Sequence, residues 1–172
     1  MKIHKEIYSL IVACAGIVVE ATTESEYAVP GEKFGIQFLV NKRSEASIQL
    51  SKIKLYSINS VGYDTSINKI LQNNINYTVN YSYSVSEDQS VSQPYWLSAP
   101  MKDMGTFDVS NYQFIGNANS MHPFTAQFVF SLNGIEFIVD KPVQYKFVDW
   151  GRGDIVEPVG VGARVVGGCV QV

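Results

Sequence analysis

The sequence predicts an all-β domain, an immunoglobulin-like antiparallel β-sandwich with a short N-terminal helix and a long aromatic loop. Three observations carry this prediction. Apolar residues alternate with polar ones through most of the chain, Pro, Gly and Asn punctuate those runs, and helical periodicity is confined to residues 2–13. A chain of 172 residues with a formal net charge of −3 fits one domain. Residues 1–14 read as an N-terminal helix, 15–161 as the sandwich, and 162–172 as a glycine-rich, frayed tail.

Within residues Lys2 to Ala13, Ile3, Ile7, Leu10 and Ile11 fall at helical spacing and form one apolar stripe. The same segment admits a signal-peptide reading. Lys2 and Lys5 precede an apolar stretch from Ile7 to Val19, and Ile11-Val12-Ala13-Cys14 loosely resembles a lipoprotein cleavage box. Glu6 interrupts the basic region, however, and cleavage before Cys14 leaves almost no spacer ahead of the first strand, so the helix is preferred. The apolar run is too short to span a bilayer, and no membrane span is expected.

Gly16 marks a change of period, and β-branched residues make Ile17 to Thr23 a strand. Val29-Pro30-Gly31-Glu32 is a turn, Pro presetting one dihedral and Gly permitting the next. Phe34, Ile36, Phe38 and Val40 then point one way while Lys33, Gly35 and Gln37 point the other. The phase slips between Ile48/Leu50 and Ile53/Leu55, which places a bulge near Ser51-Lys52. Tyr77, Val79, Tyr81, Tyr83 and Val85 form the next alternating run.

Asn133-Gly134, set between Phe124–Leu132 and Ile135–Val139, predicts a two-residue hairpin with a primed turn. Pro142 belongs at a strand boundary or edge, since it has no ladder N–H to donate. Val143, Tyr145, Phe147 and Asp149 continue as the last strand, giving about seven in all with Greek-key connections. Residues 88–122 are a long excursion expected to pack on its own aromatics, the usual setting for binding. Six glycines follow Trp150, with Ile155, Val159 and Val161 expected to be partly ordered.

The acidic balance and the scattered Lys and Arg argue against nucleic acid. The two histidines, His4 and His122, lie in no metal-binding motif, and no nucleophile elbow or phosphate-binding glycine loop occurs, so no catalytic residue, metal site or cofactor is assigned. Cys14 and Cys169 stand at opposite ends and read as unpaired thiols. Gly151-Arg152-Gly153-Asp154 reads as a tight turn with solvated side chains. Asn76 and Asn80 head glycosylation sequons inside an expected strand, where they are poor acceptors. Tyr95, Trp96 and Trp150 are candidate ligand contacts, for which anchoring of the loop on the core is the competing and preferred role of Trp96. Ile3, Ile7 and Leu10 are candidates for a partner interface.

Four separated stretches, Ala13–Ala21, Val29-Pro30-Gly31, Gln93–Leu97 followed by Gly105–Val109, and Lys141–Asp149 with Arg152-Gly153, together resemble one family. Their order and spacing are similar to the non-catalytic β-sandwich region of large bacterial PIG-L/LmbE-like N-acetylglucosaminyl de-N-acetylases of the Bacteroidetes type, over roughly Ile7 to Val161. The resemblance implies that the helix leaves a preceding α/β catalytic domain, whose zinc motif (His-Pro-Asp-Asp) is absent from this sequence. It implies an accessory, non-enzymatic role on a deacetylase or neighbouring domain, with glycan as a further partner; the polar but weakly charged composition, common in extracytoplasmic β proteins, gives the expectation of an extracytoplasmic setting. Trp150-Gly151 and the glycine-rich ending depart from the family pattern. The alternative is a free-standing extracytoplasmic carbohydrate- or protein-binding module, lipid-anchored at Cys14.

Overall fold

Alternation along the chain becomes two apolar faces turned toward each other. The computed structural model describes residues 2–57, 60–97, 99–101, 103–107, 109, 112, 115–116 and 122–163, and for residues 2–5 and 60 the backbone alone. A helix, α1 (Lys2–Ala15), leads into β1 (Ile17–Thr23), β2 (Tyr27–Ala28), β3 (Lys33–Lys42), β4 (Ile48–Ser57), β5 (Ser60–Ile70) and β6 (Tyr77–Ser84). A 3-10 turn at Tyr95–Leu97 is followed by β7 (Phe124–Leu132), β8 (Ile135–Pro142), β9 (Gln144–Asp149), β10 (Gly153–Pro158) and β11 (Gly160–Val161).

One sheet has the order β10-β9-β1-β3-β6 and the other β5-β4-β7-β8, while β2 and β11 form a small pair. Only β1–β9 and β2–β11 run parallel among the described pairs. The chain changes sheet at β3–β4, β5–β6, β6–β7 and β8–β9, the connectivity of an immunoglobulin-like sandwich with a hairpin, β9–β10, added beside β1. Phe34, Ile36, Phe38 and Val40 from one sheet and Ile48, Leu50, Ile53, Leu55, Phe124, Phe128 and Phe130 from the other are buried in a single core. Burying each such side chain contributes roughly 1.5–3 kcal/mol.

The local turn signals hold. Gly31 sits at φ 82° in a turn closed by the Glu32 amide on the Val29 carbonyl at 3.1 Å. Asn133 and Gly134 take φ 51° and 83°, as the primed hairpin requires. The β4 ladder slips between Leu50 and Lys52. Pro142 ends β8, an edge strand, and the chain passes through buried Val143 directly into the other sheet.

Three stretches differ from the sequence reading. Alternation assigns no strand to Ser60–Ile70, yet it forms β5. It is an edge strand whose inward side offers only the half-buried Tyr63 and Ile67, so its apolar signal is thin. The expected partial order after Trp150 is a regular hairpin strand, β10, whose pairing partners on β9 lie too close in sequence to need a strong pattern. The excursion packs on its own aromatics in part: Tyr95 meets Trp96 edge to face, while Met104, Tyr112 and Ile115 are exposed, and residues 98, 102, 108, 110–111, 113–114 and 117–121 lie outside the described residues. Residues 164–172, with Cys169, lie outside the described residues.

A two-sheet sandwich has two open flanks, and each is closed differently. Between β5 and β6, Tyr81 donates its hydroxyl to the Gly62 carbonyl at 3.1 Å and packs on Tyr63 with ring centroids 4.0 Å apart. The buried Tyr83 ring lies directly on Gly62, where an added Cβ would stand 2.2 Å from Cε2. Between β1 and β8, α1 lays Tyr8 against Phe137. Its last turn is held by the loop after β3: Arg43 N–H donates to the Gly16 carbonyl at 3.1 Å and Ser44 N–H to the Ala15 carbonyl at 3.2 Å. Gly16 itself is at φ 59°, with Arg43 Cβ 3.0 Å from where its own Cβ would be.

Gly62→Ala is therefore expected to lower stability by about 2 kcal/mol through overpacking, because the new methyl would meet the Tyr83 ring, which is buried and packed edge to face on Phe124. Gly35→Ala, where an added Cβ meets nothing within 4 Å, should change it by less than about 0.5 kcal/mol. Equilibrium urea unfolding of both variants checks the contrast, and equal midpoints would refute it.

Candidate functional site

The site begins where β1 stops. Ser25 N–H donates to Thr23 Oγ1 at 3.2 Å, turning the chain out of the sheet at Glu24. β3 and β9, on either side, run on. β1 pairs with β3 from Ile17↔Lys42 to Thr22↔Gln37, which leaves Lys33–Ile36 paired with β6 alone. β1 meets β9 only at Gln144 and Tyr145, and Lys146–Asp149 are paired with β10 alone. The sheet has thus lost its middle strand over that length. An open groove of about 800 Å³ lies there, walled by Lys146 and Val148 on one side and by Gly35, Gln37, Asn80 and Ser82 on the other, with Thr22 to Ser25 at its end.

The groove mixes polar side chains with apolar surface and is locally acidic, since Lys146 stands against Glu20 and Asp154 and Glu24 lines its end. Gln37 Nε2 donates to Asn80 Oδ1 at 3.2 Å. Lys146 is paired with Asp154 at 3.1 Å and with Glu20 at 3.7 Å. The hydrogen bond to Asp154, followed by the field of Glu20, raises the Lys146 pKa above the usual lysine value. Gly35 deepens the groove, because no side chain rises from the β3 strand there. Val148, 69 % exposed, supplies an apolar wall.

The residues singled out from sequence fall elsewhere. Tyr95 and Trp96 are brought together edge to face at 4.9 Å, and Trp96 is 38 % exposed rather than sunk in the core. Their segment is pinned by Ser92, whose N–H donates to the Val161 carbonyl and whose Oγ accepts from the Val161 N–H, both at 2.9 Å. Trp150 is fully exposed in the β9–β10 turn, which is shaped by Asp149 Oδ1 accepting from the Gly151 and Arg152 amides at 2.8 Å each. That turn lies at the opposite end of the hairpin from Pro158 and β11, so Trp150 does not join the Tyr95–Trp96 pair. Asp154 is held by Lys146 instead of being merely solvated. His122 is exposed, and among the described residues no three His, Cys, Asp or Glu side chains gather at metal-binding spacing.

The helix divides its apolar residues between two faces. Tyr8, Ile11, Val12 and Ala15, at helical spacing, pack on the core. Ile7 and Leu10 face solvent at 46 % and 63 % exposure, with Cys14, also exposed and unpaired, on the same side. The side chain of Ile3, expected on this stripe, lies outside the described residues. Ile11 therefore belongs to the inner face, not to the stripe of Ile7 and Leu10. The spacing of Tyr8, Ile11, Val12 and Ala15 is legible in the sequence as a second stripe. No helix among the described residues is long and apolar enough to cross a membrane.

The Lys146 ammonium should outlast a free lysine as pH rises. Its pKa is raised on folding, so the stability it contributes is complete below the ordinary value of 10.5 and is lost as pH climbs through the raised one. A side-chain-resolved NMR titration of Lys146 checks this, and Asp154→Asn should return the midpoint toward 10.5. A midpoint at or below 10.5 in the unmodified protein would refute the pairing.

No protein-family model matches the chain, and no curated protein matches it. Among solved structures it is similar to the sporulation control protein Spo0M from Bacillus subtilis, at 12 % identity and a TM-score of 0.34, over 75 % of this chain and 49 % of that one. It is also similar to a β-glucosidase from Listeria innocua in complex with isofagomine, at 8 % identity and a TM-score of 0.31, over 74 % of this chain and 16 % of that one. The chain thus spans about half the length of Spo0M and a sixth of the glucosidase.

Proposed function

We propose that this chain is a non-catalytic accessory β-sandwich of a PIG-L/LmbE-like de-N-acetylase, which packs on the catalytic domain and acts with it on envelope glycans outside the cytoplasm. The observation that carries the reading is the two-faced helix. One stripe, Tyr8, Ile11, Val12 and Ala15, closes the flank of the sandwich, and a second, Ile7 and Leu10, is left to solvent. A helix that only closes a flank needs one apolar stripe and a polar outer face. A second stripe is what a helix wedged between two domains requires, and the position of α1 ahead of β1 suits a connector. The likeness of the four sequence stretches to the accessory region of such deacetylases supplies the identity of the neighbour.

The competing reading is a free-standing extracytoplasmic module that binds carbohydrate or protein. It is favoured by the exposed edge of Trp96 on Tyr95 and by fully exposed Trp150, since flat aromatics of this kind pack well against apolar faces of ligands.

Sedimentation of the purified chain with a PIG-L-type catalytic domain encoded in the same genome tests the proposal. A complex should form, and Ile7→Glu with Leu10→Glu should weaken it at least tenfold while leaving urea stability almost unchanged, both residues being exposed. Absence of a complex, or one indifferent to the double substitution, would overturn it. Deacetylation of N-acetylglucosamine oligomers by the chain alone would overturn it as well.

A further inference from the structure

We propose that the groove at the end of β1 is a slot for an added β-strand, filled by an extended peptide segment of a partner protein. The inference rests on other residues than the helix and goes beyond the accessory-domain reading. Lys33–Ile36 of β3 and Lys146–Asp149 of β9 are each paired on the far side and without a ladder partner from β1 on the near side, and Gly35, Ile36, Lys146 and Val148 of these segments line the groove. Because peptide groups along a strand alternate in direction, about half of those on each border face the gap. They form two facing rows of donors and acceptors, the template that strand addition uses. Four residues of extended chain span about 13 Å, which matches the four-residue borders on both sides.

The side chains around the slot describe the occupant. Gly35, in mid-strand with open space above it, is the residue expected where another backbone comes close. Gln37, Asn80 and Ser82 offer neutral hydrogen-bonding groups, Val148 offers an apolar one, Lys146 is already answered by Asp154 and Glu20, and Glu24 adds a further carboxylate at the end. A strand of small or β-branched residues, such as Ser, Thr and Val, with no acidic residue among them, satisfies these walls. An oligosaccharide fits less well, because Tyr81, the ring in the groove's lining, is turned inward with its hydroxyl on the Gly62 carbonyl and offers no flat face for stacking.

Selection of a phage-displayed random decapeptide library on the intact chain tests the slot. The expected result is enrichment of peptides whose affinity falls at least tenfold with Gly35→Trp and with Val148→Arg, substitutions that fill the groove from opposite walls at open positions. The same peptides should slow amide exchange in Lys33–Ile36 and Lys146–Asp149, and should lose binding when their own backbone is N-methylated at alternate residues. A library that yields no binder dependent on Gly35 would overturn the proposal. So would protection of these amides by chitohexaose in place of peptide, or peptides whose binding survives N-methylation.

Discussion

Phe38 and Phe128 meet edge to face across the sandwich, with centroids 6.0 Å apart, and the rest of the structure is arranged from that contact. On one side Phe38 stacks on Tyr63 at 6.1 Å, and Tyr63 packs on Tyr81 at 4.0 Å, so the row runs out to the flank between β5 and β6. On the other side Phe128, Phe130 and Phe137 follow at 6.5 Å and 5.4 Å, and Tyr8 of α1 closes the row at 6.4 Å. Each such pair adds about 0.5–1.5 kcal/mol beyond the area it buries. The helix is therefore seated by the same aromatic row that joins the two sheets. Whatever docks on its outer face docks on a rigid platform.

The groove follows from a conflict between two sheets sharing one chain. After Thr23 the backbone leaves the β10-β9-β1-β3-β6 sheet to reach β2, where Ala28 is buried and pairs with Val161. β3 and β9 have no such obligation and extend past it. The gap is the geometric residue of that departure, in the way that a bulge is the residue of an extra amino acid. Binding sites on sandwiches are usually sought in loops. Here the excursion after β6 displays aromatic and aliphatic side chains, while the sheet itself offers unpaired backbone. The two surfaces suit different partners, the first a flat apolar face and the second an extended chain.

Much of the architecture was legible in order of residues. Alternation in Phe34 to Val40, the slip between Leu50 and Ile53, the Asn133-Gly134 turn and the placing of Pro142 all depend on neighbours a few positions apart, which is the range over which pattern and propensity act. β5 was not legible, because an edge strand half-open to solvent needs little apolar sequence. Trp150 was singled out for its ring, yet it stands alone at a hairpin tip. Both helix stripes, Ile7 with Leu10 and Tyr8 with Ile11, Val12 and Ala15, are legible in the spacing, but the spacing does not say which of them faces the core.

By itself the sequence determined the class of fold, the direction in which side chains point along β3, β4 and β6, and the turns, since these are set by local sterics and by the period of hydrophobic residues. Tertiary structure alone decided where β1 ends relative to β3 and β9, which helix stripe is spent on the core, and that Tyr95 meets Trp96 while Trp150 does not. Two of those outcomes rest on contacts between segments more than a hundred residues apart, Thr22 with Gln144 and Tyr8 with Phe137. No local pattern encodes such a contact, because it is fixed only when the whole core closes.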